Sequence, residues 1–420
     1  MINEQKFLSD LKTLISYKSK LSAPEDGAPF GIESKKALDF FLSVAKDMGF
    51  DVINYDGYMG EVTYGEGEEF GIIGHLDVVP EGTGWDSDPY VLTQKDGKYF
   101  ARGITDDKAP TLICLYALYA LKEHGVKFNK KIRFFAGCNE EAGWKDVEYF
   151  LKKGNKFPDW GFSPDGDFPV VYAEKGPNAI IFEYPYNGKF TNFKGGSVVN
   201  AVCDYAEVRG VIDEDLLKKH NLSHDGDLII SKGKSAHGSR PQLGKNAILP
   251  ILEYMQDVGE NVNPLIDYLF KDVLDIMQMG NETGFATISP DLVKQEDGKI
   301  ILTADFRVPA KMLAEDFYPY FDKMGIKYTF IKSRNPHYVP KDSPVIQKLM
   351  QAYNSVTGEN LEPISQSGAT FASTFKCGAA FGPEFPGAST NIHEPNEFML
   401  VEDIEKLYEI YYNSIKLIVE

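Results

Sequence analysis

Two adjacent glutamates stand at the end of an apolar stretch, where a purely structural strand has no use for charge. The stretch reads "IRFFAGCNEEAG", and Glu140 and Glu141 follow its apolar part. A carboxylate can bind a metal ion or take a proton from a reacting group. The pair therefore predicts a functional site at this strand end.

Two further segments place ligand-type residues beside predicted strands or helices. In "GIIGHLDVVP", His75 and Asp77 share one face of a strand, and a metal-bound histidine usually donates its second ring N–H to a carboxylate. A hydrogen-bonded histidine without a metal explains this pair equally well. In "RGITDDKAP", Asp106 and Asp107 precede a helix predicted to begin at Pro110, and helix capping, which needs one aspartate, is the alternative explanation.

Two loops carry similar residue types. In "SPDGDFP", Asp165 and Asp167 lie in a segment rich in proline and glycine, where turn formation is the alternative explanation. In "NIHEPNEF", His393 stands near Glu394 and Glu397, shortly before the last predicted helix. A histidine between polar loop residues is more often solvated than bound to a metal.

The predicted elements bring these residues to one place. Strands alternate with helices up to Gly176, a pattern typical of an α/β layer with a largely parallel sheet. The candidate residues from His75 to Asp165 follow or flank apparent strands, and in such sheets ligands collect at the carboxyl ends of the strands. Two histidines and several carboxylates at one edge suit a site for two divalent metal ions.

A different pattern begins near Gly176 and Pro177. Residues 177–338 contain strands and helices that end in a hairpin, a helix and a strand, so they predict a separate α+β unit. The α/β pattern resumes afterwards and ends in a long helix. We therefore expect one domain of residues 1–176 and 339–420, interrupted by an inserted unit of residues 177–338.

Composition excludes several classes of partner. The 420 residues carry a formal net charge of −18, which argues against binding to nucleic acid or to an anionic membrane surface. The sequence contains no apolar run close to the ~20 residues of a membrane span, and its first residues have helical spacing instead of a signal-peptide pattern. The 4 cysteines form no CxxC pair, so we expect reduced thiols in a cytoplasmic protein.

Six segments occur in the order known from one family: "GHLDVVPEGTGW", "RGITDDKAP", "NEEAGWKDVEYF", "SPDGDFP", "GKSAHGSRP" and "NIHEPNE". The chain resembles the dinuclear-metal hydrolases of peptidase clan MH, which include aminoacylase, carboxypeptidase G and succinyl-diaminopimelate desuccinylase. It looks most like their PepV/Sapep-type dipeptidase branch, particularly in "NEEAGWKDVEYF" with "SPDGDFP". The matches extend from His75 to Glu397, and six motifs in order are far more specific than any one of them.

The resemblance implies a set of metal ligands. Asp106 would bridge two divalent ions per chain, of which one would also take His75 and Asp165 and the other Glu141 and His393. Such a site accepts Zn or Mn, and also Co. Four carboxylates around two divalent ions give a site close to neutral, so without the ions we expect raised carboxylate pKa values or some disorder.

The resemblance also implies how the site works. Asp77 would orient His75, and Glu140 would be the general base that takes a proton from a water bridging the two metals. The paired glutamates would then differ in role, because one holds a metal and its neighbour moves a proton. The fold implied is a metal-dependent exopeptidase-like catalytic domain, a mixed sheet flanked by helices, with an inserted ferredoxin-like α+β lid domain.

In the lid domain, the resemblance assigns His237 to stabilise the oxyanion, and Asn200 and Arg307 to hold the substrate. Some positions depart from the family pattern. Ala109 stands where relatives commonly carry glycine. The segment "SQSGATFASTF" also differs from the dipeptidase branch, and it leaves the substrate preference open at Ser367, Ala369 and Ser373.

The function expected from these features is hydrolysis of dipeptides by a cytoplasmic metallopeptidase. An N-acyl-amino-acid amidohydrolase of the same family is the alternative enzyme, because it needs the same metals. A non-catalytic peptide-binding relative is a further alternative, although the intact Glu140 and full ligand set argue against it. The partner expected is a small peptide substrate, with a monomer or a homodimer as the assembly.

Overall fold

An α/β pattern occupies both ends of the chain, and an antiparallel pattern occupies its middle. The computed structural model describes residues 4–420 and separates into two units. Unit 1 contains the chain up to Tyr172 with Val339–Ile364 and Thr370–Glu420, and unit 2 contains Ala173–Tyr338 with Ser365–Ala369. Unit 2 thus begins before residue 177, and it includes a short segment that the sequence-based division placed in residues 339–420.

The strands follow one another along the chain as β1 (Asp51–Tyr55), β2 (Met59–Tyr64), β3 (Glu68–His75), β4 (Thr93–Lys95), β5 (Lys98–Phe100), β6 (Lys130–Gly137), β7 (Trp160–Ser163), β8 (Val171–Glu174), β9 (Gly176–Pro185), β10 (Thr191–Gly195), β11 (Tyr205–Arg209), β12 (Ser223–Asp225), β13 (Leu228–Lys232), β14 (Gly280–Asn281), β15 (Gly284–Phe285), β16 (Thr287–Glu296), β17 (Lys299–Val308), β18 (Lys327–Ser333), β19 (His337–Tyr338), β20 (Ile364–Gln366), β21 (Cys377–Ala380) and β22 (Phe398–Leu400).

The helices are α1 (Glu4–Ser16), α2 (Ile32–Asp47), α3 (Lys108–Glu123), α4 (Lys145–Lys152), α5 (Glu214–Lys219), α6 (Ile248–Asp257), α7 (Asn263–Leu269), α8 (Tyr318–Lys323), α9 (Pro344–Thr357) and α10 (Val401–Val419). Helix α3 begins at Lys108, slightly before the predicted Pro110. Among the described residues, none of these helices combines the length and the apolar character that crossing a membrane requires.

Unit 1 is built around a mixed sheet in the order β1-β2-β6-β3-β7-β21. Its central strands β6, β3, β7 and β21 are parallel, and β2 pairs antiparallel with both β6 and β1. Parallel strands need cover on both faces, which explains the continuous apolar runs in β3 and β6. Helix α3 is buried almost all round because it packs against β3, α1 and α10. The α/β fold class predicted from the sequence is confirmed.

Unit 2 contains an antiparallel sheet in the order β12-β13-β11-β10-β16-β17-β9-β18. Strands β9, β16, β17 and β18 alternate with α6–α7 and α8 in the β-α-β-β-α-β order of a ferredoxin-like unit. Strands β16 and β17 form the predicted hairpin, whose turn places Asp297 and Gly298 at φ of 49° and 71°. Both values lie in the left-handed region, which an Asp-Gly pair adopts readily in a two-residue turn.

Candidate metal centre

The parallel strands of unit 1 bring the predicted ligands to one edge of the sheet. His75 is the last residue of β3 and pairs in register with Gly137, so Glu140 and Glu141 follow at the same end. Strand β7 lies on the other side of β3, and Asp165 follows it closely in the chain. Three neighbouring strands running in one direction therefore deliver four ligand-type side chains to a common edge.

Asp106 lies between two imidazole rings. Its Oδ1 atom is 2.9 Å from Nε2 of His75, and its Oδ2 atom is 2.9 Å from Nε2 of His393. The same His393 nitrogen is 3.0 Å from Oε1 of Glu141, and Nε2 of His75 is 3.7 Å from Oδ2 of Asp165. Each oxygen of Asp106 thus faces a different histidine.

The donor atoms fall into two compact groups. His75, Glu140 and Asp165 form one group and Asp106, Glu141 and His393 the other, and within each group the donor atoms lie within 4.8 Å of one another. Ligands about 2.1 Å from a tetrahedral ion are about 3.4 Å apart, so these groups fit two divalent ions. Glu140, which the resemblance assigns as a base, belongs geometrically to the first group.

The tautomer of His75 follows from its contact with Asp77. The closest partner of Nδ1 is the main-chain carbonyl oxygen of Asp77 at 3.0 Å, while the carboxylate oxygen Oδ1 is 3.5 Å away. A proton on Nδ1 that is donated to this carbonyl leaves Nε2 as the nitrogen that faces Asp106, where a metal ion could replace its proton. The main chain of Asp77, more than its carboxylate, therefore orients the ring.

The carboxylate of Asp77 holds the glutamate pair instead. Its two oxygens accept the backbone N–H groups of Glu140 and Glu141, each at 3.1 Å. Just before them, Oδ2 of Asp146 accepts the N–H groups of Cys138 at 2.8 Å and Asn139 at 2.9 Å. Two buried carboxylates thus position four successive amides. The role of Asp146 was not predicted, and its only sequence signal is an acid in the first turn of the next helix.

Burial and neighbouring charges shift the pKa values of the acids. Burial raises the pKa of Glu140 well above its usual value, and the nearby Asp165 carboxylate adds to the effect. Burial also raises the pKa of Glu141, and it raises that of Asp146 to about 7. Asp106 differs: burial opposes its ionisation, but hydrogen bonds from His393 and His75 outweigh that cost, so its pKa is lowered.

The two histidines respond in the opposite sense. Burial disfavours the charged form of His75, but hydrogen bonds to Asp106 and Asp77 outweigh it and raise its pKa well above the usual value. The same balance, with Glu141 and Asp106 as partners, raises the pKa of His393. The site therefore attracts positive charge, which protons or divalent metal ions can supply.

Glu397 connects the segment that carries His393 to the segment that carries Asp106. Its Oε1 accepts the backbone N–H groups of Thr105 at 2.8 Å and Asp106 at 3.2 Å. Its Oε2 accepts the N–H of Gly103 at 3.1 Å and pairs with Nη1 of Arg102 at 2.8 Å. The sequence shows Glu397 only as a polar residue of "NIHEPNEF", because its partners lie nearly 300 positions away.

Replacing Glu397 with glutamine is expected to weaken metal binding by about 10-fold, the lower end of the range for residues that support metal ligands. In the native protein, the backbone N–H groups of Thr105 and Asp106 donate to a charged carboxylate oxygen of Glu397. Glutamine offers them only a neutral amide oxygen, so Asp106 would be held less firmly. The measurement is a titration of metal-free protein with Zn²⁺ or Mn²⁺, and the exposed neighbour supplies the control, Glu394→Gln. Equal affinities for both variants would contradict the role of Glu397.

The predicted lid residues belong to unit 2, where segments distant in the chain bring them together. Ala201 forms a β-bridge with His237, and the N–H of Gly238 donates to the carbonyl oxygen of Asn200 at 2.6 Å. A Cβ atom on Gly238 would lie 2.6 Å from Oδ2 of Asp305, the partner of the Arg307 guanidinium. A larger residue at position 238 would therefore displace the Asp305 carboxylate or the backbone of Asn200.

The chain is similar to known sequences over most of its length. A model of the family described as Peptidase family M20/M25/M40 matches residues 71–417. "Putative dipeptidase YtjP" of Bacillus subtilis (strain 168) is 30% identical over 424 residues, which cover 93% of this chain and 91% of that protein. "Putative dipeptidase SSP1012" of Staphylococcus saprophyticus is 30% identical over 464 residues, which cover 99% of this chain and 98% of that protein.

Solved structures show the same fold at much lower identity. The M20 family metallo-carboxypeptidase Sso-CP2 from Sulfolobus solfataricus is similar with a TM-score of 0.62 at 16% identity, covering 98% of this chain and 99% of that chain. Human carnosine dipeptidase 1 gives a TM-score of 0.61 at 15% identity, covering 99% of this chain and 97% of that chain. The sequence match to the family extends over most of the chain and confirms the resemblance predicted from the motifs. The chain belongs to the metallopeptidases of Peptidase family M20/M25/M40.

Proposed function

We propose that this protein hydrolyses the peptide bond of dipeptides with the help of two divalent metal ions. The observation that carries the proposal is the position of Asp106, whose two oxygens each lie 2.9 Å from a different histidine nitrogen. The relatives named as dipeptidases, which match more than 90% of this chain, support dipeptides as the substrate.

Five side chains would hold the ions. Asp106 would bind both, His75 and Asp165 would complete one position, and Glu141 and His393 the other. Two divalent ions in these positions would lower the pKa of water towards about 7 and polarise the scissile carbonyl group. Zn and Mn both suit a set of histidine and carboxylate ligands.

Glu140 would serve as the general base. Its Oε1 atom accepts the indole N–H of Trp144 at 3.0 Å, which fixes the orientation of the carboxylate. The other oxygen can then accept a proton from the attacking water and pass it to the leaving amine. The backbone N–H of Glu140, held by Asp77, keeps this residue at the end of the strand.

His237 would donate a hydrogen bond to the oxyanion that forms during the reaction. The backbone N–H of Ser239 donates to Nδ1 of His237 at 3.1 Å, and Oγ of Ser239 lies 2.7 Å from the same nitrogen. Because Nδ1 acts as an acceptor, the proton of the neutral ring is on Nε2. His237 therefore has a donor at the outer end of its ring without carrying a positive charge.

Asn200 and Arg307 would hold the substrate in unit 2. A dipeptide has a free carboxylate close to its single peptide bond, and a planar guanidinium can pair with it through two hydrogen bonds. An amide side chain such as that of Asn200 can donate to a carbonyl group. The family resemblance implies these two roles. The short distance between the segments that carry Asn200, His237 and Arg307 supports them.

The deciding experiment is a substrate panel with metal-free protein reconstituted with Zn²⁺, Mn²⁺ or Co²⁺. Dipeptides, their N-acetylated forms and N-acyl amino acids would be compared by kcat/KM, together with the metal content at saturation. We expect two ions per chain and a clear preference for dipeptides with a free amino group. A preference for N-acyl amino acids would identify an amidohydrolase instead, and one ion per chain at saturation would rule out the two-metal site.

A further inference from the structure

Asp305 and Arg307 form a buried ion pair on the outer face of the unit 2 sheet. The alternate residues Ala304, Phe306 and Val308 belong to the hydrophobic core of this unit, so Asp305 and Arg307 project from the opposite face of β17. Even so, they are only 2% and 6% exposed. A buried charge pair costs desolvation energy, and it is weak evidence of a purely stabilising role.

The geometry of the pair leaves one edge of the guanidinium unused. Nε of Arg307 donates to Oδ1 of Asp305 at 2.8 Å, and Nη2 donates to Oδ2 at 2.7 Å. A guanidinium has five N–H groups in a fixed fork, so three remain, two on Nη1 and one on Nη2. These three have no hydrogen-bond partner among the residues that the structure describes.

A second cation, Lys175, lies near Arg307. Lys175 directly precedes β9, and burial and, next, the nearby Arg307 guanidinium lower its pKa, so the two cations lie close together. Lys175 is 7% exposed, and its Nζ donates to the carbonyl oxygen of Phe285 at 2.6 Å. The Asp305–Arg307 pair is neutral as a whole, and Lys175 balances the charge of a second buried carboxylate in this cluster, Asp291.

We propose that Asp305 is a positioning residue that turns the unpaired edge of Arg307 towards the C-terminal carboxylate of the substrate. The inference rests on the proposed dipeptidase function and adds to it a residue that fixes substrate recognition. A guanidinium whose inner edge is held by a buried carboxylate loses little freedom when its outer edge binds a second one. The contact of Asp305 with Gly238 also joins this receptor to the loop of His237.

A second buried carboxylate in the same cluster provides a matched control. Asp291 is fully buried, its Oδ2 accepts the backbone N–H of Asn200 at 3.0 Å, and its Oδ1 accepts the hydroxyl of Ser289 at 2.5 Å. It supports Asn200, whose φ of 104° is unusual for a residue with a side chain. Its hydrogen bonds are to the backbone of Asn200 and Asp305 and to the Ser289 hydroxyl, and not to the Arg307 guanidinium, so its loss should affect all substrates alike.

The test compares kcat/KM for a dipeptide and for its C-terminal amide in the metal-loaded enzyme. Asp305→Asn should raise KM for the dipeptide and lower its kcat/KM by about 10- to 100-fold, the range for a lost charge-assisted hydrogen bond, with little change for the amide. Asp291→Asn should lower both values by the same factor. In an Arg307→Ala background, Asp305→Asn should cause no further loss of discrimination between the two substrates.

Three results would overturn the inference. Equal losses on dipeptide and amide in Asp305→Asn would make Asp305 a structural residue only, as would a further loss of discrimination in the Arg307→Ala background. If the wild-type enzyme cleaved dipeptides and their amides equally well, it would not recognise the substrate carboxylate at all. A wild-type enzyme without dipeptidase activity would instead refute the proposed function itself.

Arg307→Lys keeps the test decisive if Asp305→Asn does not fold. Lysine keeps the positive charge but lacks the two-edged fork, so it cannot pair with Asp305 and a substrate carboxylate through separate edges. We expect this variant to lose the preference for the dipeptide over its amide. If this variant preferred the dipeptide over its amide as strongly as the wild type does, positive charge alone would be sufficient to recognise the carboxylate. That result would refute the role of Asp305.

Discussion

Glu140→Gln is expected to lower kcat by about 10²- to 10⁴-fold, the usual contribution of general acid–base catalysis, while two metal ions remain bound. Glutamine has nearly the same shape as glutamate, and its amide oxygen can still accept the indole N–H of Trp144. It cannot accept a proton from water at neutral pH. The variant should therefore fold, bind metal and fail at the proton-transfer step, which kcat together with elemental analysis would reveal.

Glu141→Gln is the matched control, because it changes the adjacent side chain in the same way. Oε1 of Glu141 lies 3.0 Å from His393 in the group that also contains Asp106, so this variant should lose metal instead. Glu140 also lies within the donor group of His75 and Asp165, which makes the comparison informative. If Glu140→Gln lost metal and Glu141→Gln kept it, the assignments of base and ligand would be reversed.

His237→Ala is expected to lower kcat by about 10²- to 10³-fold, the typical cost of removing one donor to an oxyanion. The ring is held by Ser239 in the tautomer whose Nε2 carries the proton, and alanine removes that donor. Metal content should not change, because His237 belongs to neither donor group. Single-turnover rates with saturating substrate would separate this loss in the chemical step from a loss of binding.

His224→Ala is a suitable control for the change of residue type. His224 lies in β12 of the same unit, and its ring pairs with Glu214 at 3.1 Å on the exposed edge of the sheet. This variant should retain wild-type kcat. If His237→Ala also retained wild-type kcat, or if both variants lost activity equally, the proposed donor to the oxyanion would have to be another group.

The order of strands and helices in unit 1 could be predicted because it depends on local periodicity. A run such as "GIIG" can only be a buried strand or part of a buried helix, and the polar residues after it mark where the strand ends at His75. The hairpin of β16 and β17 was predictable for the same reason, since Asp297 and Gly298 suit its turn. Six motifs in order identified the family.

The hydrogen bonds that position the site could not be predicted, because their partners are distant in the chain. The carboxylate of Asp77 accepts amides 63 and 64 residues away, and Glu397 accepts amides 291 to 294 residues away. The local sequence does not show whether Asp77 supports the glutamate pair or contacts His75. These contacts depend on how β3, β6 and the segment after β21 pack together.

Strand β17, which carries Arg307, shows both what the sequence determines and what only the tertiary structure decides. The alternation of β17 follows from its sequence, so Asp305 and Arg307 must share a face. Whether that face is solvated or buried depends on the loops of Asn200 and Gly238, which come from other parts of unit 2. Residue spacing is set by the covalent geometry of the backbone, whereas burial and charge pairing arise only when distant segments exclude water together.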